Sequence, residues 1–339
     1  MPILDELRRR GHEVVLRTLA KEVEAMRSRG FEAEAISPEI EALAMEDWRA
    51  RTVVGGHVKG MRTLRARARH DSRDLRRALA EVQPETLIVD VLATGALGAA
   101  ASWDRPWACY RPFPLPKPRL AFKLLGIAAP ASAARLHLYP SAEPFENRRR
   151  WPEGLVMVGP CAWEPPGKLP AALTAVEKPL VLVTTSTEFQ DDGRLAKTAL
   201  EALAEESLHV VATLPSVSPD RFEVPANATV LRFAPHTSIL SRAVCAVTHG
   251  GMGATQKALA MGVPVCAVPF GRDQPQVARR VEAASAGTRL PASRLNPQRL
   301  RTKVREAIAC RSGAERIAQA FAAAGGAALA ADEIEQRLL

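Results

Sequence analysis

From Val244 to Leu290 the chain reads VCAVTHGGMGATQKALAMGVPVCAVPFGRDQPQVARRVEAASAGTRL, and its chemically capable residue types gather there. His249 opens a run of small residues, Gly250, Gly251 and Gly253, followed by Ala254 and Thr255. Glycines at that spacing let the backbone turn sharply into a helix whose first N–H groups have no intrahelical partner. Such a terminus carries a partial positive charge and suits a phosphate, to which the His249 imidazole would add a hydrogen bond. The plainer alternative is a helix-capping turn with a satisfied histidine. Further on, Asp273-Gln274 falls just past an apolar run, at the carboxyl edge where open α/β sheets take ligands.

The elements that must position these groups are legible on either side. Val244–Val247 has the length and composition of a buried parallel strand. The helix opened by Gly253 runs to about Met261, Gly262 ends it, and Val263–Val268 is a second buried strand. Upstream, Leu180–Thr184, Leu208–Thr213 and Thr229–Phe233 read as strands, with a helix over Asp192–Glu206. The N-terminal half alternates in the same way. Strands are expected at Glu13–Thr18, Phe31–Ile36, Leu87–Asp90, Trp107–Tyr110, Leu136–Tyr139 and Leu155–Val158. Helices are expected at Glu39–Ala50, His57–Val82 and Gly95–Ser102. Alternation of this kind makes parallel sheets covered by helices on both faces. Between the halves, Gly159–Lys178 is rich in proline and glycine and reads as a linker. The expected division is a first domain over 1–158, a linker over 159–178 and a second domain over 179–339. Ser312–Leu339 is helical, either packed on the second domain or crossing back to the first.

Composition narrows the class. The 339 residues suffice for two ordinary domains, and 47% hydrophobic with 24% charged residues is globular. No apolar run has the length of a membrane span, and Met1–Arg10 is too charged for a secretory signal. Cys109, Cys161, Cys245, Cys266 and Cys310 are scattered and odd in number, as expected of reduced thiols in a cytoplasmic protein. Their spacing suggests no metal site. The net charge of +9 owes much to RTLRARARHDSRDLRR, from Arg62 to Arg77. That stretch has helical period and no aromatics for base stacking, so nucleic acid is not expected as a partner. It is either a solvated helix face or a weak attractor of anionic lipid surfaces or acidic substrates.

The ordered run H-G-G-x-G, G-V-P, P-x-x-x-D-Q closely resembles the donor-sugar signature of family 1 (UDP-glycosyltransferase type) glycosyltransferases, including natural-product and glycolipid enzymes of actinobacterial style. The resemblance is densest from about Leu180 to Leu290. It implies the α/β GT-B fold, two Rossmann-like domains facing a central cleft. It also implies inverting transfer of a hexose from a UDP- or TDP-sugar to a hydroxyl of a small lipophilic or phenolic acceptor.

Residue by residue, the resemblance gives the diphosphate to His249, Gly250, Gly251, Gly253, Ala254 and Thr255, with hydroxyls from Ser186 and Thr187. The alternative for that loop is a Ser/Thr turn. Phe233 would stack the base and the Ala234 backbone would read its edge, with His236 where a glutamine is common. The alternative for Phe233 is a strand-end core residue. Asp273 and Gln274 would bind the hydroxyls of the transferred sugar, or Asp273 would cap the following helix. No metal or other cofactor is implied, because the helix terminus and neutral donors would stabilise the leaving diphosphate.

Four departures matter. Ala254 lacks a hydroxyl often found there. Lys257 stands where many members place a ribose-gripping glutamate, so Lys257→Glu is expected to tighten nucleotide binding. If Lys257 instead meets a phosphate, the change is expected to weaken it. Asp90, ending LIVD, matches the carboxylate that orients the family's catalytic histidine, but that histidine has no match. By position the chain opens after the family's first strand and histidine loop, and His12 is a turn residue. A shortened segment between Arg111 and Tyr139 implies a more open acceptor pocket. The rival reading is a catalytically impaired GT-B scaffold that binds sugar nucleotide or partners an active glycosyltransferase. A sugar-nucleotide epimerase of the same fold fits the D-Q pair less well.

Overall fold

The computed structural model describes every residue except 51, 114–130, 147–150, 166, 188–189 and 191, and omits the side chains of 53 and 54. The chain divides into two compact units. The first comprises Met1–Pro140, Arg150–Cys161 and Gly325–Leu339; the second comprises Ser141–Arg149 and Ala162–Ala324. The terminal helix thus belongs with the first unit, and the sequence boundary at 179–339 is corrected accordingly. The break is at Gly325 and Gly326, both with positive φ (81° and 62°), which separate helix Arg311–Ala323 from helix Gly326–Leu338. Two consecutive left-handed residues end a helix at little cost only when both are glycine.

In the first unit, β1 (Val15–Thr18) pairs in parallel with β2 (Glu32–Ala35). A separate parallel sheet holds β3 (Ile88–Asp90), β4 (Ala108–Tyr110), β5 (Leu136–Tyr139) and β6 (Leu155–Met157), in that order. Glu39–Ala50 is not one helix: only Pro38–Glu41 is helical, followed by a single turn at Asp47–Arg49. The long helix starts earlier than expected, at Val53, where the Thr52 hydroxyl accepts from the Gly55 N–H, and runs to Val82. Gln83 ends it in a left-handed conformation just before Pro84. The terminal helix buries Ala330, Ala331, Ile334 and Leu338 with Ile3, Leu7, Leu136 and Leu138. Arg10 ties it down through Asp332 and Glu335, both at 2.7 Å, and His12 bonds Glu335 at 2.8 Å. His12 is therefore a turn residue with a tertiary partner.

The second unit carries six parallel strands: β7 (Leu180–Thr184), β8 (His209–Thr213), β9 (Ala228–Leu231), β10 (Ala243–Thr248), β11 (Val265–Ala267) and β12 (Gly287–Arg289). Their spatial order is β12-β11-β10-β7-β8-β9, so the winding reverses between β7 and β10. Every residue of β7 and β8 is buried, which explains their unbroken apolar runs. Val181, Val183, Cys245, Val247 and Cys266 share a core with Leu195 and Leu203 of helix Gly193–Leu203 and with Leu300 and Val304 of helix Pro297–Ile308. The buried thiols are pushed up by desolvation, Cys266 to about 12. Among the described residues, no helix is long and apolar enough to cross a membrane.

Segment Ser141–Arg149 is anchored in this unit by an ion pair. Arg280 Nε donates to Glu146 Oε2 at 2.7 Å, with side chains only 8% and 1% exposed. The other Glu146 oxygen accepts from the Ser141 hydroxyl at 2.9 Å. Removing one partner of such a pair strands a buried charge. Arg280→Met is expected to lower stability in denaturant unfolding by about 3–5 kcal/mol. Glu146→Gln added to Arg280→Met should recover part of that loss.

Candidate functional site

The reversal between β7 and β10 sets Thr184 beside Thr248 in register, so the loops leaving both strands meet at one carboxyl edge. Open doubly wound sheets bind ligands at such a crevice. From β10 the chain enters the predicted turn. The Thr248 hydroxyl accepts from the Gly250 N–H at 2.9 Å, and Gly250 takes φ +81°. A side chain at Gly250 would also press on the Gln274 backbone. Gly251 precedes helix Met252–Ala260 and supplies no side-chain cap. A Cβ on Gly251 would lie 2.2 Å from His249 Nε2, so this glycine makes room for the imidazole. Around Gly253 there is open space, and Gly262 ends the helix at φ +67°, with its own and the Val263 N–H closing a Schellman turn.

Buried polar atoms without hydrogen-bond partners gather along this edge. They are the hydroxyls of Thr185, Ser186 and Thr255, His249 Nδ1 and Asp192 Oδ1. Leaving a buried donor or acceptor unpaired costs about 1–3 kcal/mol, and native structures rarely collect several in one place without a ligand. The Ser186 N–H donates to Asp192 Oδ2 at 2.7 Å, which shapes the loop after β7. Thr187 is exposed. Burial lowers the His249 pKa, opposed by the Asp192 carboxylate and the Thr184 backbone and reinforced by Arg272. Asp192 was missed by sequence reasoning, which saw only a helix start; the orphaned oxygen becomes visible only in three dimensions.

Other sequence-predicted residues are placed differently from one another. Phe233 is 59% exposed, which excludes the core role, while Ala234 behind it is buried. The His236 ring bonds the Thr213 hydroxyl at 2.9 Å, and its backbone N–H donates to Glu164 at 2.9 Å. Gln274 is buried, its Oε1 accepting from the Phe270 and Gly271 N–H groups (2.8 and 3.0 Å) and its amide donating to Gln190 at 2.8 Å. It holds the loop in shape. Asp273 is the N-cap residue of helix Gln274–Ala283 without a side-chain capping bond, so the capping alternative is not realised. Burial raises its pKa, opposed by its own backbone N–H and by Arg272 and Arg280. Arg272, immediately before it, takes φ +51°, an uncommon backbone state for an arginine.

Lys257 corrects both expectations drawn from it. Its Nζ pairs with Glu164 Oε2 at 3.2 Å, which neither mimics a carboxylate nor leaves the cation free for phosphate. A glutamate there would face Glu164 and repel it. Glu164 also accepts from the Thr237 N–H at 2.8 Å. Sequence reasoning had assigned this residue to a linker.

In the first unit, Asp90 ends β3 at the exposed carboxyl edge, its Oδ1 accepting from the Leu92 N–H at 2.8 Å. Desolvation raises its pKa against that bond, and the open face of the residue limits the effect. Among the described residues, no histidine is hydrogen-bonded to it. The expected acceptor-lining segment, between Arg111 and Tyr139, lies for the most part outside the described residues.

Two parallel α/β units, the second doubly wound with an anion-ready turn at its reversal, fit the architecture of GT-B proteins, and solved structures agree. The calicheamicin glycosyltransferase CalG4 superposes with a TM-score of 0.79 at 23% identity, covering 99% of this chain and 94% of that one. Glycosyltransferase VinC in complex with DTDP gives a TM-score of 0.73 at 21% identity, covering 99% and 95%. Residues 197–336 match the family described as "Erythromycin biosynthesis protein CIII-like, C-terminal domain". Over 170 residues the chain is 37% identical to a PGL/p-HBAD biosynthesis rhamnosyltransferase of Mycobacterium bovis, spanning 48% of this chain but only 37% of that relative. The chain thus shares the GT-B fold, and its C-terminal half is similar to family 1 glycosyltransferases of actinobacterial type.

His236 gives the site a pH signature. Its pKa is pushed down to about 4 from 6.5, first by burial and then by Lys257. As pH falls below 6.5, the unfolded chain takes up the proton first, so stability present above 6.5 declines toward about pH 4. His137 in the first unit, also held at about 4, adds a slope of the same sign. His236→Gln is expected to flatten, without abolishing, the fall in melting temperature between those pH values.

Proposed function

We propose that the protein transfers a hexose from a UDP- or TDP-sugar to a hydroxyl of a small lipophilic or phenolic acceptor, with inversion. One observation carries this reading: the cluster of buried, partnerless donors and acceptors at the β7–β10 edge, beside the uncapped helix Met252–Ala260. A diphosphate there would receive the free N–H groups of the helix and hydrogen bonds from Ser186, Thr255 and His249. Phe233 stands exposed as a stacking surface for the base. In the transfer, the acceptor hydroxyl oxygen bonds the anomeric carbon, the bond from that carbon to the diphosphate oxygen breaks, and the hydroxyl proton passes to water. The same donors would stabilise the leaving anion without a metal. Asp273, at the start of helix Gln274–Ala283, is assigned to the sugar hydroxyls, with Gln274 fixing the loop.

A second reading, a donor-binding partner of an active glycosyltransferase, is favoured by one feature: Asp90 has no imidazole to orient among the described residues. Titration calorimetry with UDP and TDP tests what both readings share. At least one should bind in the micromolar to millimolar range, and His249→Ala should weaken it by about 1–3 kcal/mol. No binding of either overturns both readings. Diphosphate release from a sugar nucleotide, dependent on a phenolic acceptor, selects the enzyme.

We also propose weak attraction to anionic lipid. Arg62, Arg65, Arg69, Arg73 and Arg76 are exposed at three- and four-residue spacing along one face of helix Val53–Val82. Asp71 and Asp74 are buried on the other side. The protein should sediment with phosphatidylserine vesicles at low salt and be released at high salt. Arg65→Glu with Arg69→Glu should abolish the association.

A further inference from the structure

A buried carboxylate stands at the β7–β10 edge without a counter-ion. Asp192, only 1% exposed, is the N-cap residue of helix Gly193–Leu203. Its Oδ2 accepts from the Ser186 N–H at 2.7 Å, while Oδ1 is buried and has no partner. Among the described residues, no cation pairs with it. Buried carboxylates are ordinarily paired, because taking the charge out of water is costly.

His249 shares this edge and has an unpaired atom of its own. A Cβ on Gly251 would lie 2.2 Å from its Nε2, so that nitrogen sits over the residue preceding helix Met252–Ala260, at the anion-ready terminus. The opposite ring nitrogen, Nδ1, is buried and partnerless. A neutral imidazole donates from one nitrogen only, whereas an imidazolium donates from both. Burial disfavours charge on this ring; the Asp192 carboxylate and the Thr184 backbone favour it, and Arg272, from the loop after β11, opposes it. Without a ligand the balance lies with the neutral ring. A diphosphate at the helix terminus would bring further negative charge to the Nε2 side. The ring would then stand between two anions, the setting that most favours its charged form. Left neutral, it would leave the diphosphate and Asp192 to repel each other.

We propose that binding of a nucleoside diphosphate draws a proton from solvent onto His249, whose imidazolium then stands between the ligand and the Asp192 carboxylate. Asp192 acts through His249 as a positioning residue: it does not touch the ligand but sustains the charge on the side chain that does. During transfer, the leaving diphosphate would meet a full positive charge as well as backbone dipoles. The inference rests on the nucleoside-diphosphate reading of the β7–β10 edge and adds a change of charge state to it.

Calorimetry of the full chain with UDP and TDP at about pH 7.5, in buffers of different ionisation enthalpy, counts the protons. At that pH the terminal phosphate of the ligand, with a pKa of about 6, is already ionised and contributes little. The unmodified protein should take up at least about half a proton per ligand bound. By linkage, its affinity should then fall about threefold or more per pH unit above that pH. His249→Gln should abolish the uptake, and Asp192→Asn should remove most of it. A purely structural role for Asp192 would weaken binding and leave the uptake unchanged. Binding without uptake overturns the inference and leaves the nucleotide reading standing; binding of neither ligand overturns both. Uptake that persists in His249→Gln, or at full size in Asp192→Asn, also overturns it. Should Asp192→Asn fail to fold, Asp192→Ser, which retains an acceptor for the Ser186 N–H, takes its place.

Discussion

The pairing of β7 with β10 is the contact on which the functional half of the molecule depends. Parallel strands need crossovers, and a sheet wound in both directions must part its crossovers somewhere. Here they part between two strands that are neighbours in space but separated by two others in sequence. Their loops diverge to opposite faces, and the backbone groups at the crevice are left for a ligand. Most of the chemistry argued above follows from that geometry: the turn after Thr248, the hydroxyls after Thr184, and the helix that begins at Met252.

Holding such a crevice open is costly, and the surrounding loops are built to resist its collapse. Gln274 braces the loop from Phe270 to Gly271 with its amide oxygen and reaches Gln190 with its amide nitrogen. Asp192 holds the Ser186 backbone, and Glu164 holds the start of helix His236–Leu240. These residues sit a step behind the groups that would touch a ligand. They explain how partnerless atoms at Ser186 and His249 persist in a tightly packed unit.

Much of this was legible in the sequence, because parallel buried strands write themselves as short apolar runs and turns as glycine clusters. Leu136–Tyr139 and Leu180–Thr184 were read to the residue. Glu39–Ala50 was not, since its helical composition is overruled by packing against the long helix, which leaves one turn at each end. The diphosphate turn was visible because backbone geometry dictates its glycines. Glu164 and Asp192 were invisible for the opposite reason. Their roles come from contacts 73 and six residues away, through side chains whose types are ordinary for a linker and a helix start. Lys257 was misjudged for want of knowing its partner.

The first unit is assembled from three stretches of chain, and the last of them is the terminal helix beyond Gly325. Ile3 and Leu7 are covered by Ile334 and Leu338, which are made long after them. The second unit is complete in sequence by Ala324. During synthesis the later-made unit can therefore finish first, and the earlier-made one waits with its apolar face open until helix Gly326–Leu338 arrives. Vectorial synthesis ordinarily favours the N-terminal part of a protein; the connectivity here inverts that schedule.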